Sequence, residues 1–342
     1  MRQPAQYGRI NAPDAAWLAS AAAEPVLEPD LAIVDAHHHV WQRPGYRYLI
    51  DELQADLATG HNVEATVFIE CRSMYRAGGP EEMKPVGETE FVAGVAAMSA
   101  SDQFGPARVA AGIVGFADMR LGDRVEPVLE AHMRAAGGRF RGVRHSASWD
   151  PDPIIGSNAA EGHLLTRADF REGLRRLTKM GLVFDLWVFH TQHDEAIDVV
   201  RALPDTTFVL GHCGGPLGYG PYAGRRDEIF ATWKAGMAEL ARAPNVVVKL
   251  GGMMMRLAAY DYGTRPTPPD SATLAGLWGP YIETCIELFG PARCLFESNF
   301  PVEKMGIGYA ALWNAFKRLA AGASADEKRA MFSGTASRVY RL

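Results

Sequence analysis

Three consecutive histidines in the stretch VDAHHHVW, residues 34–41, are the side chains best suited to do chemistry. They follow a short apolar run at residues 31–34, which is typical of a buried strand and too short for a buried helix. Side chains alternate along a strand, so His37 and His39 are expected to share one face and His38 to point into the surrounding helical layer. Two adjacent imidazoles suit zinc, iron or manganese. A metal or catalytic role and an ordinary polar role both remain open from the spacing alone.

The composition indicates a globular enzyme-sized protein and disfavours several classes of partner. The chain has 342 residues, 48% hydrophobic content and a net charge of −5, with no apolar run as long as a membrane span and no secretory leader pattern. Four scattered cysteines without C-x-x-C spacing are typical of reduced thiols in a cytoplasmic protein. Mild acidity argues against nucleic acid as a partner. We expect a homo-oligomer that acts on a small molecule.

Short β-branched or aromatic runs alternate with amphipathic stretches along the chain. After the run at residues 31–34, strands are predicted at residues 65–70, 111–116, 142–145, 182–189, 207–211, 246–250 and 294–298. Helices are predicted at residues 125–136, 167–180, 225–243 and 274–289. An eightfold alternation of this kind fits an α/β fold, the (β/α)8 TIM barrel, better than a doubly wound sheet. One barrel domain is therefore expected over residues 31–342, after an irregular arm at residues 1–30.

Active sites of such barrels are built at the C-terminal ends of the strands, which makes the polar residues there the candidates. Taken singly, each has an equally ordinary interpretation as a hydrogen-bonded residue of the barrel mouth. Because several of them are expected at the same end of the barrel, an active site is favoured. The strand-end candidates are His37, His39, Glu70, Arg72, Asp118, Arg144, His145, His190, His212, Lys249, Glu297 and Asn299.

Five of these stretches resemble the strand-end motifs of the amidohydrolase-related barrels, in the branch of sugar-acid lactonases and 2-pyrone-4,6-dicarboxylate lactonase. They are VDAHHHVW, FRGVRHSAS, TFVLGHCGGPLG, NVVVKLGGM and CLFESNFPV. The resemblance implies that His37, His39 and His190 hold a metal with a strand-8 acid, while His212 helps to activate water. The lysine that bridges two metals in dinuclear relatives has no counterpart here, so the resemblance implies one divalent ion, zinc or manganese, or no metal.

The chain departs from this family at the end of the eighth strand. Relatives usually have S-D-W-P there, whereas this chain has Ser298, Asn299, Phe300 and Pro301. An amide cannot take a proton from water, although Asn299 can orient a water or weakly ligate a metal. Glu297 lies on the same predicted face. It is a candidate base or acid, or a structural partner of Lys249 or a histidine, and His145 is the next candidate for the base.

Three functional classes follow from these candidates. The first is hydrolysis of a lactone or related cyclic ester of a small carboxylate-bearing substrate, the second is decarboxylation, and the third is a binding protein without catalysis. A loop rich in glycine at residues 211–224 is expected to line the substrate. The GGMMMR stretch at residues 251–256 is expected either to pack in the core or to form an apolar wall of the site, and core packing is favoured. The predicted substrate-binding residues are Glu70, Arg72, Arg144, Tyr222, Arg225 and Lys249.

Overall fold

The computed structural model describes residues 3–342, and within them eight parallel strands form one sheet in the order β1-β4-β5-β6-β7-β8-β9-β10. A small antiparallel hairpin, β2 with β3, lies outside that sheet. The strands are β1 (Ile33–His38), β2 (Trp41–Arg43), β3 (Tyr46–Tyr48), β4 (Val63–Ile69), β5 (Arg108–Gly115), β6 (Phe140–Val143), β7 (Val183–Leu186), β8 (Phe208–Leu210), β9 (Val246–Leu250) and β10 (Cys294–Phe296).

Helices follow most of the barrel strands and form the outer layer. They are α1 (Ala15–Ala19), α2 (Ile50–Leu57), α3 (Val86–Ser99), α4 (Glu126–Ala135), α5 (Ala168–Lys179), α6 (His193–Ala202), α7 (Arg226–Ala241), α8 (Met254–Leu257), α9 (Ser271–Phe289), α10 (Tyr309–Leu319), α11 (Ala325–Arg329) and α12 (Thr335–Tyr340). Across the described residues 3–342, no helix combines the length and apolar character needed to cross a bilayer.

The barrel closes where β1 meets the segment after β10. The His39 N–H donates to the Phe300 carbonyl at 2.7 Å, and the Asn299 N–H donates to the His37 carbonyl at 2.9 Å. A slip in the register of β1 between Asp35 and His38 precedes this junction. The first and eighth strands therefore bring the three histidines and Asn299 to one place at the C-terminal end of the barrel.

The interior of the barrel is filled by small and β-branched side chains, as the alternation along buried strands predicts. One cluster joins Val34, Ala65 and Val247 to Val339 and Tyr340 of α12, so the C-terminal helix packs against the end of the barrel opposite the histidines. The apolar interior supports the strands, and the polar residues come at their ends.

The predicted (β/α)8 architecture is confirmed. Each of the eight predicted runs overlaps a barrel strand, and α4, α5, α7 and α9 begin and end within three residues of the predicted helices. The run predicted at residues 182–189 is too long, because β7 ends at Leu186. The arm expected to be irregular contains α1, whose first turn is capped by the Asp14 side chain.

Candidate active site

A cavity of about 270 Å³ opens at the C-terminal ends of the strands. Its walls come from the barrel strands, from the loops after them and from the N-terminal arm. The lining includes Gly8, Ile10, His39, Trp41, Arg43, Glu70, Arg72, Arg144, Trp187, His212, Gly252, Arg256 and Asn299. Six of the strand-end candidates, His39, Glu70, Arg72, Arg144, His212 and Asn299, lie in this lining.

His37 and His39 face each other through their Nε2 atoms, 3.1 Å apart. The His39 Nδ1 lies 2.7 Å from the Ile69 carbonyl oxygen, and the His37 Nδ1 lies 2.6 Å from the Glu297 Oε2. The Ile69 carbonyl is an acceptor, so the His39 ring carries its proton on Nδ1 and presents a lone pair at Nε2. Burial lowers the pKa of both imidazoles well below the ordinary value, which keeps them neutral.

The third histidine of the run behaves as alternation predicts. The His38 Nε2 lies 2.8 Å from the Thr66 hydroxyl, and its ring packs 6.0 Å from that of Phe68. These contacts confirm that His38 points away from the pair formed by His37 and His39.

Glu297 is completely buried and lies between two imidazoles. Its Oε2 contacts the His37 Nδ1, while its Oε1 accepts from both the Nδ1 and the backbone N–H of His212, at 2.6 and 3.1 Å. Burial raises its pKa, but the charge and hydrogen bond of His212 and the charge of Lys249 outweigh burial and hold the pKa below its usual value. Glu297 thus contacts both rings, and the hydrogen bond that it accepts from the His212 Nδ1 leaves the His212 Nε2 available as an acceptor in the neutral ring.

The donor set fits one divalent metal ion. The two Nε2 atoms lie 3.1 Å apart, close to the separation of roughly 3.3 Å between ligand nitrogens of one tetrahedral ion. Each ligating ring also has the oxygen partner on its other nitrogen that is usual around metals. His37, His212 and Glu297 form a second compact group, with ligand atoms within 4.8 Å of one another, that also fits a divalent ion.

Arg144 is the cation nearest to this pair. Its Nη1 lies 3.3 Å from the His37 Nε2, and its Nε donates to the Glu70 Oε1 at 2.8 Å. A second nitrogen donates to the Glu70 backbone carbonyl. Glu70 therefore fixes the guanidinium of Arg144 at the cavity wall, beside the histidines, where it can stabilise negative charge.

Asn299 lines the cavity with a backbone in the left-handed region, φ 52°, which asparagine tolerates better than most residues. Its side-chain Nδ2 donates to the Glu303 Oε1 at 3.4 Å. That contact sets the amide orientation and leaves Oδ1 as an acceptor for water or a weak metal ligand.

Two predicted histidines lie elsewhere. His190 begins a short 3-10 helix four residues beyond the end of β7, and its ring packs against Tyr222 at 5.2 Å. The strand ends too early to carry this side chain to His37 and His39. His145 lies between Phe116 and Phe170, and its Nδ1 accepts from the Met119 N–H at 3.1 Å. Neither residue lines the cavity, because Trp187 and Arg144 take the inward positions on these segments.

Three predicted substrate-binding residues are also outside the cavity lining. Tyr222 donates its hydroxyl to Asp150 at 2.6 Å, and Arg225 is exposed and paired with Glu228. Lys249 is buried, with its Nζ 3.4 Å from the His37 Nδ1 and 3.5 Å from the Asp185 Oδ2. Glu70, Arg72 and Arg144 line the cavity, and substrate binding by them stays a prediction.

Several lining residues were not predicted. Arg43 stacks 4.0 Å above the Trp41 ring, Trp187 packs edge-on against His212 at 4.5 Å, and Gly8 belongs to the N-terminal arm. Arg256 comes from the GGMMMR stretch that was assigned to core packing. An arginine closing a run of methionines, directly after a strand, was the available signal for that residue.

Comparisons with known proteins identify the family of this chain. Residues 34–342 match the family described as amidohydrolase. L-fucono-1,5-lactonase of Burkholderia multivorans is 30% identical over 241 residues, which cover 69% of this chain and 73% of that protein. The protein y4mH of Sinorhizobium fredii is 32% identical over 335 residues, 92% of this chain and 99% of that protein. A zinc-bound amidohydrolase structure from Burkholderia multivorans superposes with a TM-score of 0.70 at 26% identity, covering 91% of this chain and 99% of that one.

Proposed function

The chain belongs to the amidohydrolase family and is a hydrolase, and we propose that it opens the ring of a small carboxylate-bearing lactone. The observation that carries the proposal is the His212 imidazole, which lines the cavity and has its Nδ1 proton fixed on Glu297. A ring held in this tautomer accepts a proton at Nε2 only. The similarity to L-fucono-1,5-lactonase supports a cyclic ester as the substrate class.

In the proposed reaction, His212 takes a proton from water as the water oxygen attacks the lactone carbonyl carbon. The negative charge that develops on the carbonyl oxygen is stabilised by Arg144, which Glu70 holds in place. The bond between the carbonyl carbon and the ring oxygen then breaks, and His212 returns its proton to the leaving alkoxide. Glu297 stabilises the imidazolium between these steps without taking the proton itself.

A divalent ion, zinc or manganese, would be held by His37 and His39 with Asn299 nearby, and would polarise the carbonyl and lower the pKa of water. His37 and His39 are kept neutral by burial and are oriented by Glu297 and by the Ile69 carbonyl. Asn299 is the proposed orienting group for water through its amide oxygen.

A substrate panel tests the proposal against decarboxylation and against loss of catalysis. The purified protein, with and without added zinc or manganese, is assayed on sugar-acid lactones and on aromatic carboxylic acids. We expect acid release from a lactone, followed with a pH indicator, and no carbon dioxide. Carbon dioxide evolution from an aromatic acid would instead support the lyase alternative, and no turnover on either set would support a binding protein.

Two histidine variants test the assigned base. His212→Gln should lower kcat by roughly 10²- to 10⁴-fold, the usual contribution of a general base. His145→Gln removes an equally buried imidazole outside the cavity, so its kcat should stay close to that of the wild type. Full activity of His212→Gln combined with a large loss in His145→Gln would place the base on His145.

A further inference from the structure

Arg256 is a buried cation at the wall of the cavity. Its side chain is only 4% exposed, and its guanidinium packs over the Phe189 ring at 5.0 Å. The Nη1 atom donates to the Ile155 carbonyl at 2.6 Å and to the Tyr219 hydroxyl at 2.7 Å, while Nη2 donates to the Gly156 carbonyl at 3.3 Å. All three acceptors are neutral. The positive charge is therefore held in position but not neutralised.

The guanidinium also retains unused donors. Its Nε–H is buried and has no acceptor among the described residues, and Nη2 makes one contact although it has two protons. Ion pairs within 4.0 Å join Arg144 to Glu70, but none joins Arg256 to a carboxylate of residues 3–342. Burying an unpaired charge costs several kcal/mol. A buried arginine without a carboxylate partner is therefore suited to bind an anion from solution.

The rest of the cavity is electrostatically suited to such an anion. Arg43 donates to the Cys71 carbonyl and Arg72 to the Asn158 carbonyl, and neither has a carboxylate partner within the described part of the chain. Glu70, the acidic residue of the lining, is already paired with Arg144. The cavity therefore has an excess of positive charge, which favours and attracts anionic substrates.

The N-terminal arm lies against two of the groups that hold Arg256. Gly8 adopts a φ of +73°, and a Cβ there would lie 2.4 Å from the Tyr219 hydroxyl and 2.6 Å from the Ile155 carbonyl oxygen. These are two of the three groups that accept from Arg256. The arm is anchored by the Ala5 N–H to Asp261 and by the Tyr7 hydroxyl to the Tyr260 carbonyl, at 2.9 and 2.8 Å.

We infer that Arg256 is the specificity residue that binds a carboxylate of the substrate, and that the arm, through Gly8, positions it. This inference deepens the proposed function, on which its choice of lactone substrates rests. Arg256 follows β9, which β10 separates from β1, and it lines the same cavity as His39. The guanidinium supplies the planar donors that a carboxylate accepts.

Equilibrium binding tests the site without requiring turnover. The probe is glutarate, a flexible dicarboxylate, titrated into the full chain in a calorimeter at low ionic strength. Wild-type protein should bind it, and Arg256→Gln should bind it roughly 30-fold more weakly, the usual effect of losing a hydrogen bond to a charged group. Arg225→Gln removes an arginine that is exposed and paired outside the cavity, and should match the wild type. No binding by the wild type, or equal binding by Arg256→Gln, overturns the inference.

A second pair of measurements separates recognition from folding. A γ-butyrolactone that carries a ring carboxylate is compared with its carboxamide, and Arg256→Gln should lower kcat/KM for the carboxylate roughly 30-fold while changing the carboxamide little. Arg256→Lys should recover part of the loss because it keeps the charge without the planar fork. Gly8→Ala should weaken glutarate binding while the charge remains. An equal loss on both lactones in every variant would overturn the assignment, since it indicates a structural role.

The two proposals fail in different ways. If no lactone is hydrolysed but glutarate binding still depends on Arg256, the proposed function is wrong and the anion site stands. If lactones are hydrolysed but Arg256→Gln changes neither glutarate binding nor kcat/KM for the carboxylate lactone, the proposed function stands and the anion site is wrong.

Discussion

At the scale of single residues, the positions of protons decide what the site can do. The spacing of His37 and His39 predicted a pair on one face, because alternation along a strand is local. The sequence allows Glu297 to be a base, an acid or a structural partner, because it does not show which atoms the carboxylate contacts. The structure places both carboxylate oxygens against imidazole Nδ1 atoms, which favours the orienting role. The His37 Nε2 meanwhile lies 3.1 Å from the His39 Nε2.

The contact between Asn299 and Glu303 changes the expected effect of replacing Asn299. From sequence alone, replacing Asn299 by aspartate restores the acid usual in the family and is expected to be tolerated. The side-chain amide donates to the buried Glu303, however, and burial raises the pKa of Glu303 to about 7. An aspartate would remove this donor and set a second carboxylate against Glu303. We therefore expect Asn299→Asp to be less well tolerated than the sequence suggests.

Metal binding by the His37 and His39 pair is a prediction that thermal unfolding can test. After chelation, adding zinc should raise Tm, since a ligand at 100 times its Kd stabilises the folded state by about 2.7 kcal/mol. His39→Gln should abolish most of this shift because it removes one of the two facing nitrogens. His38→Gln is the matched control, since His38 faces Thr66.

Equal zinc-induced shifts in His39→Gln and wild type would contradict this assignment of the ligands. Activity that survives exhaustive chelation and does not respond to added metal would support the metal-free route instead.

At the scale of elements, the sequence predicted what depends on local periodicity. The strands and four long helices were found because apolar spacing of 2 or 3.6 residues is visible within a short window. The length of β7 was wrong because Trp187, Val188 and Phe189 continue the apolar run after strand pairing has ended. That error placed His190 at a strand end where the structure has a 3-10 helix.

The loop after β9 positions His212, and a glycine pair tests this. Gly252 has a φ of +65°, and a Cβ would lie 2.1 Å from the His212 Nδ1, so Gly252→Ala should push the ring away from Glu297. We expect kcat to fall roughly 10²-fold, in line with the contribution of a general base. Gly224→Ala imposes a similar backbone strain, φ +75°, with nothing within 4 Å of the new Cβ, and should leave kcat unchanged.

Kinetics of both alanine variants, with circular dichroism to compare their folding, distinguish displacement of the ring from general strain. Equal losses of kcat in the two variants would show that strain alone explains the effect.

At the scale of the whole molecule, the site depends on contacts between distant segments. The arm reaches Tyr219 and Ile155, and α12 reaches Asp185 through the Tyr340 hydroxyl at 2.7 Å. Asp185 in turn lies beside Lys249, and Lys249 beside His37. Such contacts are invisible to periodicity, which explains why Arg256 and Gly8 were not among the sequence candidates.

Buried histidines throughout the barrel make its stability depend on pH. Burial lowers the pKa of His61, His132, His145 and His193 to about 4. The unfolded chain takes up protons near pH 6.5 and the folded chain does not, so each such group costs stability as the pH falls from 6.5 toward 4. Buried carboxyls with raised pKa, such as Asp35 at about 6 and Glu88 at about 8, act with the opposite sign, since their contribution is lost as the pH rises. The pH dependence of the free energy of unfolding is therefore the sum of contributions with opposite signs.

His132 isolates the histidine part of this dependence, because both of its ring nitrogens are occupied. Its Nε2 donates to the Phe116 carbonyl at 2.9 Å, its Nδ1 lies 2.8 Å from the Thr89 hydroxyl, and its ring stacks on Phe140. His132→Gln should be less stable than wild type at pH 7, because it loses the stacking and one buried contact. Between pH 7 and pH 5 the wild type should lose about 2 kcal/mol more than the variant, the amount set by a pKa lowered from 6.5 to about 4. Urea unfolding of both proteins at the two pH values measures this difference, and parallel losses would show that His132 does not titrate differently in the folded and unfolded chains.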